Sequence, residues 1–289
     1  MALTINTNLA SMIVQSNLEN ATAALNKSIE RMTTGYRINS AADDAAGYAV
    51  ATKMDTKLSS IDVCQDNVAM GSSLLSTLSS NYDLITGHLQ RIRDLTEEAA
   101  NGTYGTDALN AIKAEIGARW DEIDRIAAST EFNGIVLTDG SQGTNGISIR
   151  CGVGTTADVD TITLAATLFK SATAKDLQTS GTTLDKAGYL GKIDGTAASA
   201  NAALTQIDAA LAEVTTRQTN VGAAQNRLDS AAEALEVQYT NMTASLSTVK
   251  DADVAEESSA YIKAQILQQA SATFLSTANQ APSIALNLI

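Results

Sequence analysis

The sequence is poor in the residues on which most catalytic, metal-binding and nucleic-acid-binding sites depend. Its 289 residues include one His, one Pro, one Trp and two Cys, and aromatic residues make up 4%. The 19 Lys and Arg are outnumbered by 32 Asp and Glu, which gives a net charge of −13. This acidic excess argues against a nucleic-acid binder, which needs basic surface to displace counterions from phosphates. The widely spaced Cys64 and Cys151 match neither a zinc-ligand pattern nor a small disulfide framework.

Motifs of enzymes and membrane proteins are missing as well. The sequence contains no G-x-S-x-G, no Walker loop and no H-E-x-x-H, so we expect no enzyme, no cofactor and no metal site. No apolar run approaches the roughly 18 residues of a membrane span, and we expect no membrane insertion. The first residues also lack the basic and apolar regions of a cleaved secretory signal. If the protein leaves the cell, we expect another route to carry it.

Two long segments follow the heptad pattern of coiled-coil helices. In the first, from Met54 to Ala99, the apolar seam is broken only at Lys57, Gly71 and Thr96. The second extends from about residue 199 to 248, which as one helix would be roughly 75 Å long. Such helices predict an elongated, mostly α bundle.

The segment between the long helices is interrupted by glycine. A shorter amphipathic helix is predicted around Leu109 to Ile126, and it ends at the Asn133-Gly134 turn. Alternating apolar residues then predict a small β-hairpin region at about 134–178. A Gly- and Thr-rich connector without a core of its own is expected at about 179–196.

Both ends of the chain are uncharged but patterned as helices. Residues 1–18 and 264–289 contain no Asp, Glu, Lys or Arg. Uncharged polar side chains can be buried at lower cost than charges, so these helices suit burial against copies of the same chain. The residues predicted to form this polymerisation core are Leu18, Leu25, Ile29, Met32, Ile262, Ile266, Ala270 and Phe274.

Several ordered strings in the sequence closely resemble bacterial flagellin. They cover nearly the whole chain except about residues 155–196. The strings are INTN at 5–8, IERMTTGYRINSAADDAAG at 29–47, EIDR at 122–125, EFNG at 131–134, GAAQNRL at 222–228 and AQILQQA at 264–270.

This resemblance implies a filament subunit of minimal form. Residues 1–43 and 250–289 would pair as an inner-core coiled coil, residues 44–249 would form a helical rod, and no variable outer domains would be present. It further implies a homopolymer, export by the flagellar type III route to the extracellular filament, an export chaperone at the C-terminal end, and contact with the filament cap and hook-junction proteins.

The resemblance also implies recognition by Toll-like receptor 5. The positions that match the receptor site are Gln90, Arg91, Leu95 and Glu115. Because Arg91 and Leu95 lie off the heptad seam, we expect both to face outward. A hook-filament junction protein of the same family is the alternative function. A membrane-active translocator is a more distant alternative, disfavoured because the polar faces of the ends lack Lys and Arg.

Overall fold

The computed structural model describes residues 7–142, 146–154, 156–177 and 185–286. At 157–158 and 281–286 it describes the backbone alone. The predicted connector at 179–196 therefore lies partly outside the described residues. The described residues form two compact units. The first extends to Leu58 and resumes at Thr240, and the second comprises Ser59–Tyr239. The predicted divisions at 43/44 and 249/250 lie next to Ala45, where one helix begins, and Lys250, where another ends, and they stay a prediction.

Helices account for most of the chain, and the predicted fold class, mostly α with a small hairpin region, is confirmed. The helices are α1 (Leu9–Thr34), α2 (Ala45–Ala99), α3 (Thr106–Ser129), α4 (Ala157–Asp160), α5 (Lys186–Leu190), α6 (Ala197–Lys250) and α7 (Val254–Leu286). The strands are β1 (Glu131–Phe132), β2 (Ile135–Val136), β3 (Ile147–Arg150) and β4 (Thr161–Leu164), and a 3-10 turn occupies Ala166–Phe169.

Local chemistry sets the ends of the helices. The side chain of Asn8 accepts a hydrogen bond from the backbone of Ser11 at the start of α1. Gly35 ends α1 in the left-handed region at φ 75°, where its N–H bonds to the carbonyl of Arg31. Asp44 caps the start of α2 by accepting from the N–H groups of Ala46 and Gly47. The end of α1 and the start of α2 therefore both lie in the string at residues 29–47 that carries the resemblance.

The second unit contains an apolar core that α2, α3, α6 and both hairpins share. The predicted seam of α2 is buried from Ile61 to Ala99, and α6 contributes a matching stripe from Ala203 to Leu235. β1 and β2 form an antiparallel hairpin around Asn133 and Gly134, both at positive φ. β3 and β4 form a second antiparallel hairpin, with Ile147 opposite Leu164.

The described part of the predicted connector packs on the core shared by α2, α3 and α6 and forms no separate core. Residues 185–193 include α5, and the side chains of Tyr189 and Ile193 are fully buried. The ring of Tyr189 lies 5.1 Å from that of Trp120, and its hydroxyl pairs with Thr96 at 2.9 Å. Two large apolar side chains in a Gly-rich stretch are enough to attach it to the core.

Candidate assembly surface

The terminal helices α1 and α7 pack antiparallel in the first unit. Asn8 donates to the carbonyl of Ala278 at 2.8 Å at one end of the pair. Gln268 donates to the hydroxyl of Thr22 at 3.2 Å near its middle. The predicted pairing of the two terminal helices is confirmed.

Small and polar side chains fill the seam between α1 and α7. Ala21, Ser28 and Ala264 are buried there, and the larger Leu18 and Leu25 are only half-buried. Buried apolar area scales with side-chain size, so a seam of this kind contributes little hydrophobic stabilisation. The pair consequently hides few of its large apolar side chains within its own chain.

Large apolar side chains instead point away from the seam. Phe274 is 63% exposed and Ile266 is 60% exposed. Of the predicted polymerisation core, Ile29, Met32 and Ile262 are also exposed, whereas Ala270 is half-buried. The pattern at 262, 266, 270 and 274 advances about 40° around the helix at each step, so it cannot follow one seam.

The sequence prediction missed further residues of this outward set. They are Leu9, Met12 and Ile13 on α1 and Leu267 on α7, all exposed. The available signal was that apolar residues occur on more than one face of these uncharged segments. We call the outward set, with Ile29, Met32, Ile262, Ile266 and Phe274, the assembly surface.

A groove of about 680 Å³ lies between α1 and α7. Its lining includes the small residues Ala21, Ala24 and Ala264 and the larger Leu267 and Phe274. The lining is mostly apolar, with Lys263 as its charged residue, so an apolar side chain from another molecule could be buried in the groove.

Charges are concentrated at one end of the helix pair. Lys27 bonds to Asp43 at 2.8 Å, and Arg31 approaches Glu257 at 3.6 Å. The Lys27 ammonium and the backbone N–H of Ser40 hold the pKa of Asp43 well below its usual range. Toward the other end, residues 264–280 of α7 contain no charged side chain and α1 contributes Glu19, so most of that surface can be buried without an ion-desolvation penalty.

The predicted receptor residues lie in the second unit, on α2 and α3. Arg91 bonds through Nε to Glu115 Oε1 at 3.1 Å, and Arg119 approaches the same oxygen at 3.5 Å. Gln90 is exposed beside Arg91. The expectation that Leu95 faces outward is wrong, because its side chain is 2% exposed and belongs to the core. The structure thus brings Arg91 and Glu115 together but removes Leu95 from the surface.

In the described part of the chain, no group of three or more His, Cys, Asp or Glu side chains is placed to hold a metal ion. None of the described helices is both long and apolar enough to cross a membrane.

Comparison with known proteins identifies similar sequences across almost the whole chain. Residues 5–143 match the bacterial flagellin N-terminal helical region, and residues 204–289 match the bacterial flagellin C-terminal helical region. The chain is 34% identical to the flagellar filament 30.7 kDa core protein of Treponema maltophilum, with 95% of each chain covered. It is 30% identical to polar flagellin F of Vibrio parahaemolyticus, with 100% of each covered.

The fold of this chain is similar to that of a solved structure. The putative flagellar hook-associated protein from Vibrio parahaemolyticus superposes with a TM-score of 0.61 at 18% identity, covering 72% of this chain and 100% of that one.

Proposed function

The chain belongs to the bacterial flagellin family of structural filament subunits, and we propose that it polymerises through the assembly surface of α1 and α7. The supporting observation is the large exposed apolar side chains on a helix pair whose own seam is built from small residues. Soluble monomers seldom leave such side chains clustered on one element. Neighbouring copies would bury them in a repeated, non-closing helical arrangement.

The test is seeded polymerisation of the full chain. Purified protein is mixed with short filament fragments, and elongation is followed by light scattering and electron microscopy. Ile266→Glu places a charge in the assembly surface, so we expect elongation to stop while the circular dichroism of the free subunit is unchanged. Val237→Glu is the matched control because Val237 on α6 is also 60% exposed. Normal elongation of the Ile266→Glu variant would contradict the proposed surface.

The same experiment separates the alternatives. A hook-filament junction protein would bind the ends of seeds without building long filaments. A membrane-active translocator would bind lipid vesicles in the absence of seeds. The subunit that we propose elongates seeds and leaves vesicles unbound.

Further proposals follow from family membership. We propose that the subunit is exported by the flagellar type III route, that a chaperone binds its C-terminal end, and that assembly occurs outside the cell beneath the filament cap. The exposed apolar side chains of α7 support the chaperone proposal, since they need cover before assembly. We expect the export chaperone to co-purify with the wild-type protein but not with the Ile266→Glu variant.

We also propose that Toll-like receptor 5 contacts the exposed pair of Arg91 and Glu115, with Gln90 beside it. Arg91→Ala should lower the response of a receptor reporter cell, because it removes an exposed guanidinium that could act as a contact residue. Arg125→Ala is the control, since Arg125 on α3 is likewise an exposed arginine in an ion pair, with Glu122. An equal response from both variants would contradict the contact.

A further inference from the structure

The two cysteines, far apart in sequence, lie at the same place in the second unit. The Sγ of Cys64 on α2 donates to the carbonyl oxygen of Gly152 at 3.5 Å. One helical turn along, Asn67 donates to the carbonyl oxygen of Arg150 at 3.3 Å. These two contacts hold the residues on both sides of Cys151 against α2.

The side chain of Cys151, just beyond β3, packs against the apolar core of the second unit, and Cys64 belongs to that core. Two residues before Cys151, Ile149 is buried and packs against α2 at Gly71. The carbonyl of Asp160 accepts from the N–H groups of both Cys151 and Gly152 at 2.9 Å, which fixes the backbone there. Cys151 and Cys64 therefore lie at neighbouring places of the same core.

We propose that Cys64 and Cys151 are a thiol pair that a small-molecule disulfide converts into an intramolecular disulfide between α2 and the end of β3. The thiolate of Cys151 attacks the small disulfide, which releases one small thiol and leaves a mixed disulfide on Cys151. The thiolate of Cys64 then attacks the Cys151 sulfur, and the second small thiol leaves. Two protein thiols are oxidised and one small disulfide is reduced to two small thiols, which take up the two protons that the cysteines lose.

The surroundings of the pair set the order and rate of these steps. Cys151 is half-buried and Cys64 is buried, so Cys151 reacts first. A groove of about 240 Å³ lined by Cys64, Gly152 and Val153 opens beside the backbone of Cys151. Burial raises the pKa of both thiols.

Charged groups adjust those pKa values further. Asp160 raises the pKa of both thiols, whereas Arg150 lowers that of Cys64 and Arg227 lowers that of Cys151. Exchange needs the thiolate, and the overall shift is upward, so oxidation should be slow at neutral pH and faster as the pH rises.

The bond would join the hairpin of β3 and β4 to the long helix α2. Its biological setting depends on the proposed function, because disulfides persist outside the cell, where a flagellar filament would lie. The chemistry does not depend on that function. Oxidation is measured on the unpolymerised chain, so failure of one proposal leaves the other standing.

The experiment treats the full chain with oxidised glutathione and follows it by intact-mass spectrometry and thiol titration. We expect the wild type to lose both titratable thiols, to retain no glutathione and to stay monomeric on a non-reducing gel. The melting temperature should rise by about 5–10 °C and return to its original value on reduction. The rate should increase with pH.

Two variants test the order of the steps. Cys64→Ser should stop at one glutathione bound to Cys151, and Cys151→Ser should react slowly or not at all. Alanine replaces serine if circular dichroism shows that a serine variant is misfolded. Three results for the wild type would each overturn the proposal. They are a stable glutathione adduct, two thiols that stay free in conditions that modify Cys64→Ser, and a covalent dimer as the sole product.

Discussion

Gly71 lies within the 55-residue helix α2, where glycine is the least favourable residue after proline. The structure explains its presence by the hairpin of β3 and β4. A Cβ added at Gly71 would lie 2.2 Å from Cδ1 of Ile149 and 3.3 Å from Cδ1 of Leu228. Ile149 is 7% exposed, and its Cδ1 would have to shift to admit the added atom. Gly71 is therefore the site where the hairpin packs against the helix.

Gly71→Ala should destabilise the protein because overpacking outweighs the gain in helix propensity. Overpacking a core costs about 1–3 kcal/mol. Replacing a helical glycine by alanine returns about 0.8–1 kcal/mol. The expected net loss is about 1 kcal/mol, or a fall of about 2–4 °C in melting temperature for a unit of this size. Urea unfolding followed by circular dichroism measures it.

A double-mutant cycle tests the stated cause. Ile149→Val removes the Cδ1 atom, so in that background Gly71→Ala should become stabilising by about 0.8–1 kcal/mol. Gly87 on the same helix has no neighbour within 4 Å of an added Cβ. Gly87→Ala should therefore stabilise both backgrounds alike. If Gly71→Ala had the same effect with Ile149 and with valine at that position, the packing argument would be refuted.

Three further predictions concern ionisable and charged side chains. Arg217 is 4% exposed and donates to two backbone carbonyls, so Arg217→Ala should cost about 2–4 kcal/mol in urea unfolding. Burial raises the pKa of Tyr189 to about 12. The folded state thus keeps a proton that the unfolded chain loses near pH 10, and stability should fall between about pH 10 and 12. Tyr189→Phe should reduce that fall, as measured by alkaline unfolding with tyrosinate absorbance. The pKa of Asp43 is lowered mainly by Lys27, so its contribution is complete above about pH 4 and is lost as pH falls further. Asp43→Asn should flatten the acid limb of a plot of melting temperature against pH.

Periodicity predicted the long helices because a heptad extends over many residues and errors at single positions average out. It could not explain the polar or small residues within the seam. Thr96 is buried because its hydroxyl pairs with Tyr189, which comes from a segment without regular periodicity. Gly71 depends on Ile149 in the same way. Such exceptions are set by contacts between distant segments, which a local pattern does not contain.

The heptad also failed at Leu95, for a geometric reason. A two-stranded seam leaves positions beside it exposed, but α2 in the second unit is covered by more than one neighbouring element. Leu74 and Leu95 are buried although neither lies on the seam. The motif similarity supplied the proposed receptor segment, whereas the direction of each side chain depended on how many elements pack around the helix.

The contrast between the two units predicts that folding and assembly of the terminal helices are coupled. The second unit buries large side chains such as Tyr82 and Phe169, so its stability is supplied by its own chain. The helix pair of the first unit buries mainly small residues at its seam and exposes Ile266 and Phe274. Each exposed aliphatic or aromatic side chain would contribute about 1–2 kcal/mol when covered by a neighbour. Summed over the assembly surface, that energy exceeds what the seam of alanines and serines supplies. The terminal helices should therefore gain more stability from polymerisation than from pairing with each other, and their amide protons should exchange far more slowly in the filament than in the free subunit.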